Sequence, residues 1–493
     1  MERIMKRAVV LLCAAVLGCS PAGNKQAAEL YRVKWYGILD NPAAIAEDMK
    51  IVSKYAEDKI GVGIDFAVAP EGGINSLIQI GEPMDLLHTS GGEYLRWAEL
   101  GALWDMTEAV KTVTPALWKS MPEVVWSGGT YKGKITAIPI YKDIARTEFI
   151  LWDKGYIDKY NLQDAIQDQS LDGYEKIFKT IKDGEGARFY PASVSRGKTF
   201  SQPDAPLWDS GAQDIPGVEF RWDDPQLKFV FNLDGLVPVE TIRRVNAWHK
   251  AGYFAPDQAT NSNAVRPAVL EYGSGWKGAA PIWAGWNNNE YGIYPVERAD
   301  GPLIYTNTVR GAMTSIGVNS KHQEEALKIM ELLGTDPLFR DMICYGIEGK
   351  HFTYVKRPSG QQGGVVRQNP DTPWPLAAWN SGAWFVDTAG GPINVLSAMD
   401  SDPDRYAQIA EQNARARVSP AMGFTLDASP VAAEVNAVRA VWEKYRYDVW
   451  GGSYDDPQKI HDQIGGEMNA AGMGRILDEA NRQMAAWRAE NNK

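Results

Sequence analysis

Apolar positions at the start of the folded part of the chain follow two different periods. Residues 31–37 and 62–69 are apolar runs of strand length, and the stretch between them repeats its apolar positions every three or four residues, at Ile45, Met49, Val52 and Ala56. Asn41-Pro42 supplies a helix cap and a first-turn proline ahead of this stretch. The order strand, helix, strand predicts a parallel sheet that binds ligands at the carboxyl ends of its strands.

Later apolar runs extend this pattern. Strands are predicted over residues 84–88, 148–152, 278–283 and 313–318. Ser320 and Gln323 have the spacing of a capping box for a helix that Gly334 ends, and Asp336-Pro337 predicts the start of another helix. The change of pattern around residues 133–146 predicts the first crossing between two lobes.

Two regions lack regular periods, whereas the C-terminal region is helical throughout. Residues 188–240 are rich in Pro, Asp, Ser and aromatic residues, which predicts an irregular insertion. Residues 361–398 are rich in Gly, Pro and Trp, which predicts loops at a cleft. In the tail, apolar stripes near Val431, Asp456 and Ala480 predict three helices that contribute to a core.

The N-terminus has the layout of a secretory signal peptide. Three basic residues precede an uncharged apolar run over residues 8–17, which is too short to span a bilayer. Val16-Leu17-Gly18-Cys19 resembles a bacterial lipobox, so we expect residues 1–18 to be removed and Cys19 to carry acyl chains. Residues 19–28 would then be a tether. The alternative is a plain signal peptide with a chance cysteine.

Length, charge and cysteine content narrow the class of protein. A chain of 493 residues exceeds the usual size of a single core, so two lobes are expected. Loss of residues 1–18 removes three positive charges and one negative charge, which changes the net charge from −11 to −13. This acidity argues against nucleic acid as a partner. With Cys13 removed and Cys19 acylated, Cys344 would have no cysteine with which to form an intramolecular disulfide.

Residues for catalysis or metal binding form no recognised pattern. The histidines are scattered without zinc spacing, at positions 88, 249, 322, 351 and 461. The acidic run at residues 400–411 imitates a calcium loop, but Arg405 stands where glycine is needed. We therefore expect no metal and no cofactor. A glycoside hydrolase stays open as an alternative, because its two carboxylates need only meet in space.

Tryptophan outnumbers phenylalanine, 18 to 13. Indole rings stack on flat apolar surfaces and offer one N–H donor, which suits sugar rings. Several of these tryptophans are nevertheless expected to be core residues.

Short segments in a specific order resemble the extracellular solute-binding proteins of family 1, the group that includes maltose-binding protein. The resemblance is closest to LipO-like lipoproteins that carry a DUF3502 domain at the C-terminus, and it runs from about Tyr31 to the end of the chain. The segments that carry it are VKWY at 33–36, GEPMD at 81–85, YKGKITAIP at 131–139, ART at 145–147, YGIEGKH at 345–351 and GFTLD at 423–427. The chain departs from the family at residues 70–81, which are shorter than usual, and at the insertion 188–240.

The resemblance implies an α/β fold of the periplasmic-binding-protein-like type II, with two lobes, a cleft between them and a helical C-terminal extension. Residues 29–143 and 303–354 would form the N-terminal lobe. Residues 144–302 and 355–493 would form the C-terminal lobe, including a helical tail over 423–493. Closure of the lobes by hinge motion would trap the ligand.

The resemblance also implies a function. The chain would be no enzyme but a monomeric capture protein that delivers a small solute, in most members a carbohydrate, to the permease subunits of an ABC importer. Its lipid anchor alone would hold it at the outer face of the cytoplasmic membrane, on the cell surface or in the periplasm. A binding protein for peptides or another charged solute is the alternative.

The same resemblance suggests which residues contact the ligand. Trp286 falls where maltose-binding protein has its main sugar-stacking tryptophan, with Trp283 as the near alternative. The other candidates lie at predicted strand ends, at the crossing or in the Gly-rich loop, and they are Tyr36, Asp40, Ser90, Tyr94, Tyr141, Lys142, Asp143, Arg146, Trp379 and Trp384. Core packing is the alternative for the tryptophans, helix capping for Asp40, and a structural ion cluster for the charged residues at the crossing.

Substitution of Cys19 by serine tests the lipid anchor. The variant should lose acyl chains and leave the detergent-soluble membrane fraction, because a serine cannot form the thioether of a lipobox cysteine. Mass spectrometry of the mature protein and detergent partitioning measure both effects. Equal partitioning of the two proteins, with no acyl mass on the wild type, would contradict the lipoprotein prediction.

Overall fold

The computed structural model describes residues 31–37, 45–68, 73–192, 200, 206–257, 269–286, 292–374 and 390–491. The signal peptide, the tether, Asp40, Trp379 and Trp384 lie outside these residues, and the side chain of Trp286 is also outside the description.

The strands are β1 Arg32–Gly37, β2 Gly63–Val68, β3 Leu86–Thr89, β4 Thr130–Tyr131, β5 Lys134–Ile135, β6 Ala137–Tyr141, β7 Glu148–Asp153, β8 Trp208–Asp209, β9 Val218–Arg221, β10 Val230–Phe231, β11 Leu270–Ser274, β12 Ile293–Glu297, β13 Leu303–Ile304, β14 Met313–Ser315, β15 Phe352–Lys356, β16 Val365–Gln368, β17 Gly391–Pro392, β18 Ala398–Met399 and β19 Arg417–Val418.

The α-helices alternate with these strands in the first part of the chain and fill its end. They are α1 Ala46–Ile60, α2 Gly73–Gln79, α3 Gly91–Glu99, α4 Ala109–Thr112, α5 Pro115–Ser120, α6 Glu123–Trp126, α7 Lys154–Lys159, α8 Leu171–Glu185, α9 Leu233–Leu236, α10 Val239–Lys250, α11 Ala280–Trp286, α12 Thr306–Val309, α13 Gln323–Thr335, α14 Pro337–Tyr345, α15 Arg405–Ala414, α16 Ala432–Gly451, α17 Pro457–Ala470 and α18 Met473–Glu490.

A six-stranded sheet organises the first lobe, in the order β17-β6-β14-β3-β1-β2. β1 runs parallel to β2 and β3, and β17 runs parallel to β6. β14 is antiparallel to both β3 and β6. Every strand except β14 therefore points the same way, and the carboxyl ends of these five strands share one edge of the sheet. The strand, helix, strand unit predicted at the start of the chain is present as β1, α1 and β2.

The two faces of this sheet have separate cores because side chains alternate along each strand. Trp35 and Leu86 lie on the face that packs against α1, α13 and α14. Tyr36 and Leu87 lie on the other face, with Tyr94 and Trp97 of α3. Both faces are thus covered, which explains why these strands read as nearly continuous apolar runs.

Asp85 ties the beginning of β1 to the segment before α13. Its carboxylate accepts hydrogen bonds from the Tyr31 hydroxyl at 2.7 Å, the Lys34 amide at 3.0 Å and the Ser320 hydroxyl at 2.6 Å. The predicted capping box is therefore wrong, because Ser320 Oγ donates to Asp85 and His322 is the residue that precedes the helix. The helix also continues past Gly334 to Thr335.

A second, antiparallel sheet has the order β11-β7-β12 and belongs to a separate core. This core also contains buried residues of α8 and α10 and of the tail helices α16, α17 and α18. Tail helix α18 is joined to the insertion through Asn481, whose amide accepts from Phe229 N at 2.9 Å and donates to Phe229 O at 3.0 Å. The insertion is more regular than predicted, since it contains β8, β9, β10 and α9.

Three further predictions differ from the structure. The run at 278–283 is not a strand: a 3-10 turn over Lys277–Ala279 leads into α11. The strand predicted at 313–318 is limited to β14. Six buried residues of the stretches assigned to the C-terminal lobe pack in the core of the first lobe, namely Ile144, Ala145, Val366, Trp374, Ile393 and Leu396.

The described part of the chain contains no helix that is both long enough and apolar enough to cross a membrane. Among the same residues, no group of three or more His, Cys, Asp or Glu side chains is arranged to hold a metal ion.

Asp341 is a buried carboxyl that joins three elements of the first lobe. It lies on α14 and accepts hydrogen bonds from Ser397 N at 2.8 Å, Ser397 Oγ at 2.6 Å and the hydroxyl of Tyr354 on β15 at 2.8 Å. Burial raises the pKa of Asp341 to about 6, because desolvation of the charged form outweighs these three donors.

The raised pKa of Asp341 predicts a pH-dependent stability. A carboxyl with a folded-state pKa above its unfolded value contributes stability that is present at low pH and is lost as pH rises through the folded pKa. Relative to Asp341→Asn, the wild type should therefore lose about 2 to 3 kcal/mol of unfolding free energy between pH 4 and pH 7. Chemical denaturation of both proteins across this range measures the difference. Parallel pH profiles would contradict the assignment.

Candidate functional site

The carboxyl edge of the six-stranded sheet is where the first lobe can present ligand-binding groups. β1 ends there at Gly37, β6 ends at Tyr141, and β3 runs into α3 through Ser90. Ser90 precedes the helix in an extended conformation, and its side chain makes no capping hydrogen bond. The partly buried Ser90 hydroxyl therefore lies at this edge without a role in the helix terminus.

Two candidate tyrosines are core residues in this structure. Tyr94 is fully buried, and its hydroxyl lies 3.0 Å from Thr136 Oγ1. Burial raises the pKa of Tyr94 to about 12. Tyr36 is 6% exposed, and burial, followed by the carboxylates of Glu82 and Asp85, raises its pKa. Both carboxylates precede β3, at the end of the sheet away from the carboxyl edge.

The chain passes from the first sheet to the second between Tyr141 and Glu148. Charged candidates in this segment are paired with one another or with neighbours: Lys142 Nζ lies 3.5 Å from Asp143 Oδ1, and Arg146 Nε donates to Glu148 Oε1 at 3.0 Å. Arg146 Nη1 also donates to the Tyr305 hydroxyl at 2.6 Å. These contacts match the ion cluster that the sequence left open as an alternative, and the ligand role of these residues stays a prediction.

Two side-chain amides of α15 hold this crossing segment in place. Gln412 Nε2 donates to Ala145 O at 2.9 Å and to Gly275 O at 3.0 Å. Asn413 accepts from Ala145 N at 3.1 Å and donates to Lys142 O at 2.7 Å. The Gln412 side chain is buried, with 4% exposure. α15 thus supplies hydrogen-bond partners to the backbone of a segment that belongs to neither of the two sheets.

The wall of the second lobe is built from the segment that follows β11. Ser274 at the end of β11 pairs with Glu148 at the start of β7, so α11 begins close to the crossing. Trp283 of α11 is 2% exposed and packs on Phe149, with ring centroids 5.2 Å apart. A Cβ at Gly273 would lie 2.9 Å from its indole ring. Trp283 is therefore a core residue, as the alternative interpretation held, and it anchors α11 to the sheet.

Trp286 is the last residue of α11. It follows the buried anchor Trp283 by three residues, and α11 has Pro281, Ile282 and Gly285 as its exposed residues among those whose burial is described. The side chain of Trp286 lies outside the described part of the structure, and so do the residues Asp40, Trp379 and Trp384. The ligand roles of these four residues stay predictions.

A second aromatic group near the crossing was missed by the sequence analysis. Trp276 Nε1 donates to Asp402 Oδ2 at 2.6 Å, and the guanidinium of Arg405 lies 4.4 Å from the centre of the Trp276 ring. Asp402 belongs to the acidic run at 400–411 that imitates a calcium loop in the sequence. The tryptophan excess was visible in the composition, but Asp402, the hydrogen-bond partner of Trp276, lies 126 residues further along the chain.

Arg310 was also missed, and it connects the first lobe with the beginning of the tail. The residue is 2% exposed, its Nε donates to Gly128 O at 3.0 Å, and its Nη1 contacts Thr425 Oγ1. Its guanidinium lies 5.9 Å from the centre of the Tyr94 ring. Burial lowers the pKa of Arg310 to about 10. No carboxylate forms an ion pair with it among the described residues.

Comparisons with known proteins agree with this architecture. The family model described as "Domain of unknown function (DUF3502)" matches residues 420–489. Over 509 aligned residues the chain is 23% identical to a carbohydrate ABC transporter substrate-binding protein of Streptococcus pneumoniae, covering 96% of each protein. The resemblance inferred from the short sequence segments is thereby confirmed.

Solved structures show the same fold. The N-glycan transport solute binding protein NgtS of Streptococcus pneumoniae superposes with a TM-score of 0.77 at 20% identity, covering 94% of this chain and all of the other. Its complex with Man5GlcNAc gives a TM-score of 0.63 at 20% identity over the same shares. The predicted type II solute-binding fold, with two lobes and a helical extension, is confirmed.

Replacement of Gln412 by leucine tests the clamp at the crossing. Leucine keeps the apolar volume but leaves the carbonyls of Ala145 and Gly275 without their donor, so the unfolding free energy should fall by about 2 to 4 kcal/mol. Chemical denaturation measures the change. Glu411→Leu, at an exposed position of the same helix, is a control that leaves both carbonyls paired. A Gln412→Leu protein as stable as the wild type would contradict the clamp.

Proposed function

We propose that this chain is the solute-binding lipoprotein of an ABC-type importer, and that it captures a carbohydrate between its lobes. One observation carries the proposal: the likeness to proteins named for carbohydrate and N-glycan transport extends over 94 to 96% of the chain. A shared domain inside a larger enzyme would not produce a match of that length. The chain delivers its ligand to permease subunits and needs no catalytic group for this task.

The arrangement of charges at the crossing favours a neutral ligand over the alternative of a peptide or another charged solute. Lys142 faces Asp143, and Arg146 faces Glu148, so these charges already have partners. The buried Arg310 is held by Gly128 and covered by Thr425. A charged solute would have to displace existing ion pairs, whereas sugar hydroxyls can hydrogen-bond to them as they stand.

The proposed location follows from the N-terminal segment. The basic residues, the short apolar run and Cys19 support export across the cytoplasmic membrane and acylation at the outer face. A single acyl chain binds membranes only marginally, so a stable anchor requires more than one chain. The protein acts there as a monomer, tethered by residues 19–28.

Ligand contact by Trp286 is part of the proposal. α11 is fixed to the sheet through the contact of Trp283 with Phe149, and Trp286 follows one helical turn later at the end of α11. An indole at that place offers a flat apolar surface to a sugar ring. On this one helix, Trp283 packs in the core and Trp286 contacts the ligand.

A screen of ligands by thermal shift tests the function. Oligosaccharides, including mannose-containing N-glycans, should raise the melting temperature, because a ligand that binds only the folded state stabilises it by RT ln(1 + [L]/Kd). Acidic sugars, peptides and amino acids form the comparison set, and product analysis of the bound sugar tests for turnover. Stabilisation by peptides alone, or hydrolysis of the sugar, would overturn the proposal.

With a sugar ligand in hand, matched tryptophan variants test its contact. Trp286→Ala should weaken binding about five- to a hundredfold, since loss of an aromatic anchor costs roughly 1 to 3 kcal/mol, while changing stability little. Trp283→Ala should instead cost about 3 to 5 kcal/mol of unfolding free energy. Calorimetric titration and chemical denaturation measure the two effects. Unchanged affinity in folded Trp286→Ala would remove Trp286 from the site.

A further inference from the structure

His88 occupies the carboxyl end of β3, one residue before the strand ends at Thr89. Its neighbour on β14 is Thr314. On the other side, β1 pairs Trp35 with Leu86 and Tyr36 with Leu87, and the next position in this register is Gly37. The strand beside His88 therefore carries no side chain at that level, at the edge where the first lobe can meet a ligand.

The imidazole of His88 has no structural task that the described residues reveal. It is partly buried, and no hydrogen bond or ion pair joins it to another residue of the described ranges. Two other histidines are hydrogen-bonded: His351 Nδ1 accepts from Ile347 N at 2.9 Å, and His461 contacts Asp234 and Asp462 at 3.1 Å each. No ring nitrogen of His88 is a fully buried atom without a partner, so the ring keeps contact with the solvent from which a ligand would approach.

The surroundings of His88 keep its ring neutral. Burial lowers its pKa to about 4, and no charged group contributes to the shift. A neutral imidazole has one N–H donor and one acceptor nitrogen, on opposite sides of the ring. Sugar hydroxyls both donate and accept, so two hydroxyls of one ligand can satisfy both nitrogens. A carboxylate can satisfy only the donor, and a cation can satisfy only the acceptor.

We propose that His88 is a ligand-binding residue, which accepts a hydrogen bond from one sugar hydroxyl and donates a hydrogen bond to another at the carboxyl end of β3. The proposal rests on the proposed carbohydrate-binding function and deepens it. The next β1 residue in the register, Gly37, has no side chain that would compete with a sugar for hydrogen bonds to the ring. His88 thereby sets the hydroxyl pattern that the first lobe recognises, while aromatic contact comes from the second lobe.

Variants at position 88 separate a ligand contact from a structural role. His88→Phe keeps a flat ring but removes both polar atoms, so affinity for the sugar found in the thermal-shift screen should fall about five- to fiftyfold. His88→Gln keeps a donor and an acceptor and should lose less. The melting temperature of both ligand-free variants should stay near that of the wild type. His461→Gln, a histidine with carboxylate partners in the second lobe, is the matched control and should bind normally.

A direct readout on the wild type accompanies the variants. Two-dimensional 1H–15N spectra of the histidine rings should show the neutral form of His88, and its nitrogen resonances should shift when the sugar binds. The resonances of His461 should stay in place. This measurement does not depend on whether His88→Phe folds.

The possible failures are distinguishable. If the wild type binds sugars but His88→Phe has unchanged affinity, or the His88 resonances do not respond, His88 is not a contact and the proposed function stands. If the wild type binds only solutes without hydroxyl groups, the proposed function fails and the sugar-hydroxyl role of His88 fails with it.

Discussion

The segment that crosses from the first sheet to the second belongs to neither sheet, so much of its backbone must find other hydrogen-bond partners. The structure solves this with neighbouring amides on α15: Gln412 bridges the carbonyls of Ala145 and Gly275, and Asn413 holds Lys142 and Ala145. A short antiparallel bridge between Arg146 and Leu303 completes the arrangement. The relation between the lobes depends on these bonds, because buried peptide groups without partners are costly.

The need to hydrogen-bond the crossing segment also determines what surrounds the segment that follows β11 in the second lobe. α15 lies where its amides can reach the crossing, and its first residues then meet the segment that follows β11. Trp276 donates to Asp402 and lies under the guanidinium of Arg405 for this reason. Trp283 fills the space that Gly273 leaves on β11, which orients α11. Aromatic residues at the junction therefore serve two purposes, and only some of them remain for a ligand.

Local signals in the sequence predicted local structure well. The side chain of Asp336 accepts from Leu338 N and Phe339 N, as the Asp-Pro pair at the start of α14 indicates. Signals that depend on distant partners were not readable. Ser320 has the spacing of a capping residue but bonds to Asp85, 235 positions away. The run at 278–283 was too short to tell a strand from a helix by period, and the partner of its tryptophan, Phe149, lies on another strand. The ligand-contact residues were the least predictable part. Tyr94 and Trp283 are aromatic residues of the kind that binds sugars, and only the packing in the structure shows that they are core residues.

The position of β14 has a consequence for the order in which the protein can form during synthesis. β14 lies in the middle of the first sheet, between β3 and β6, although it is encoded more than 170 residues after β6 ends. A nascent chain that has produced β1, β2, β3 and β6 still lacks the strand that joins them, so β3 and β6 each keep an unpaired edge. The first lobe must therefore wait, incomplete, while most of the second lobe is made. Folding of the N-terminal half is in this way tied to elongation of the C-terminal half, and the long loop that must close makes this step slow compared with local helix formation.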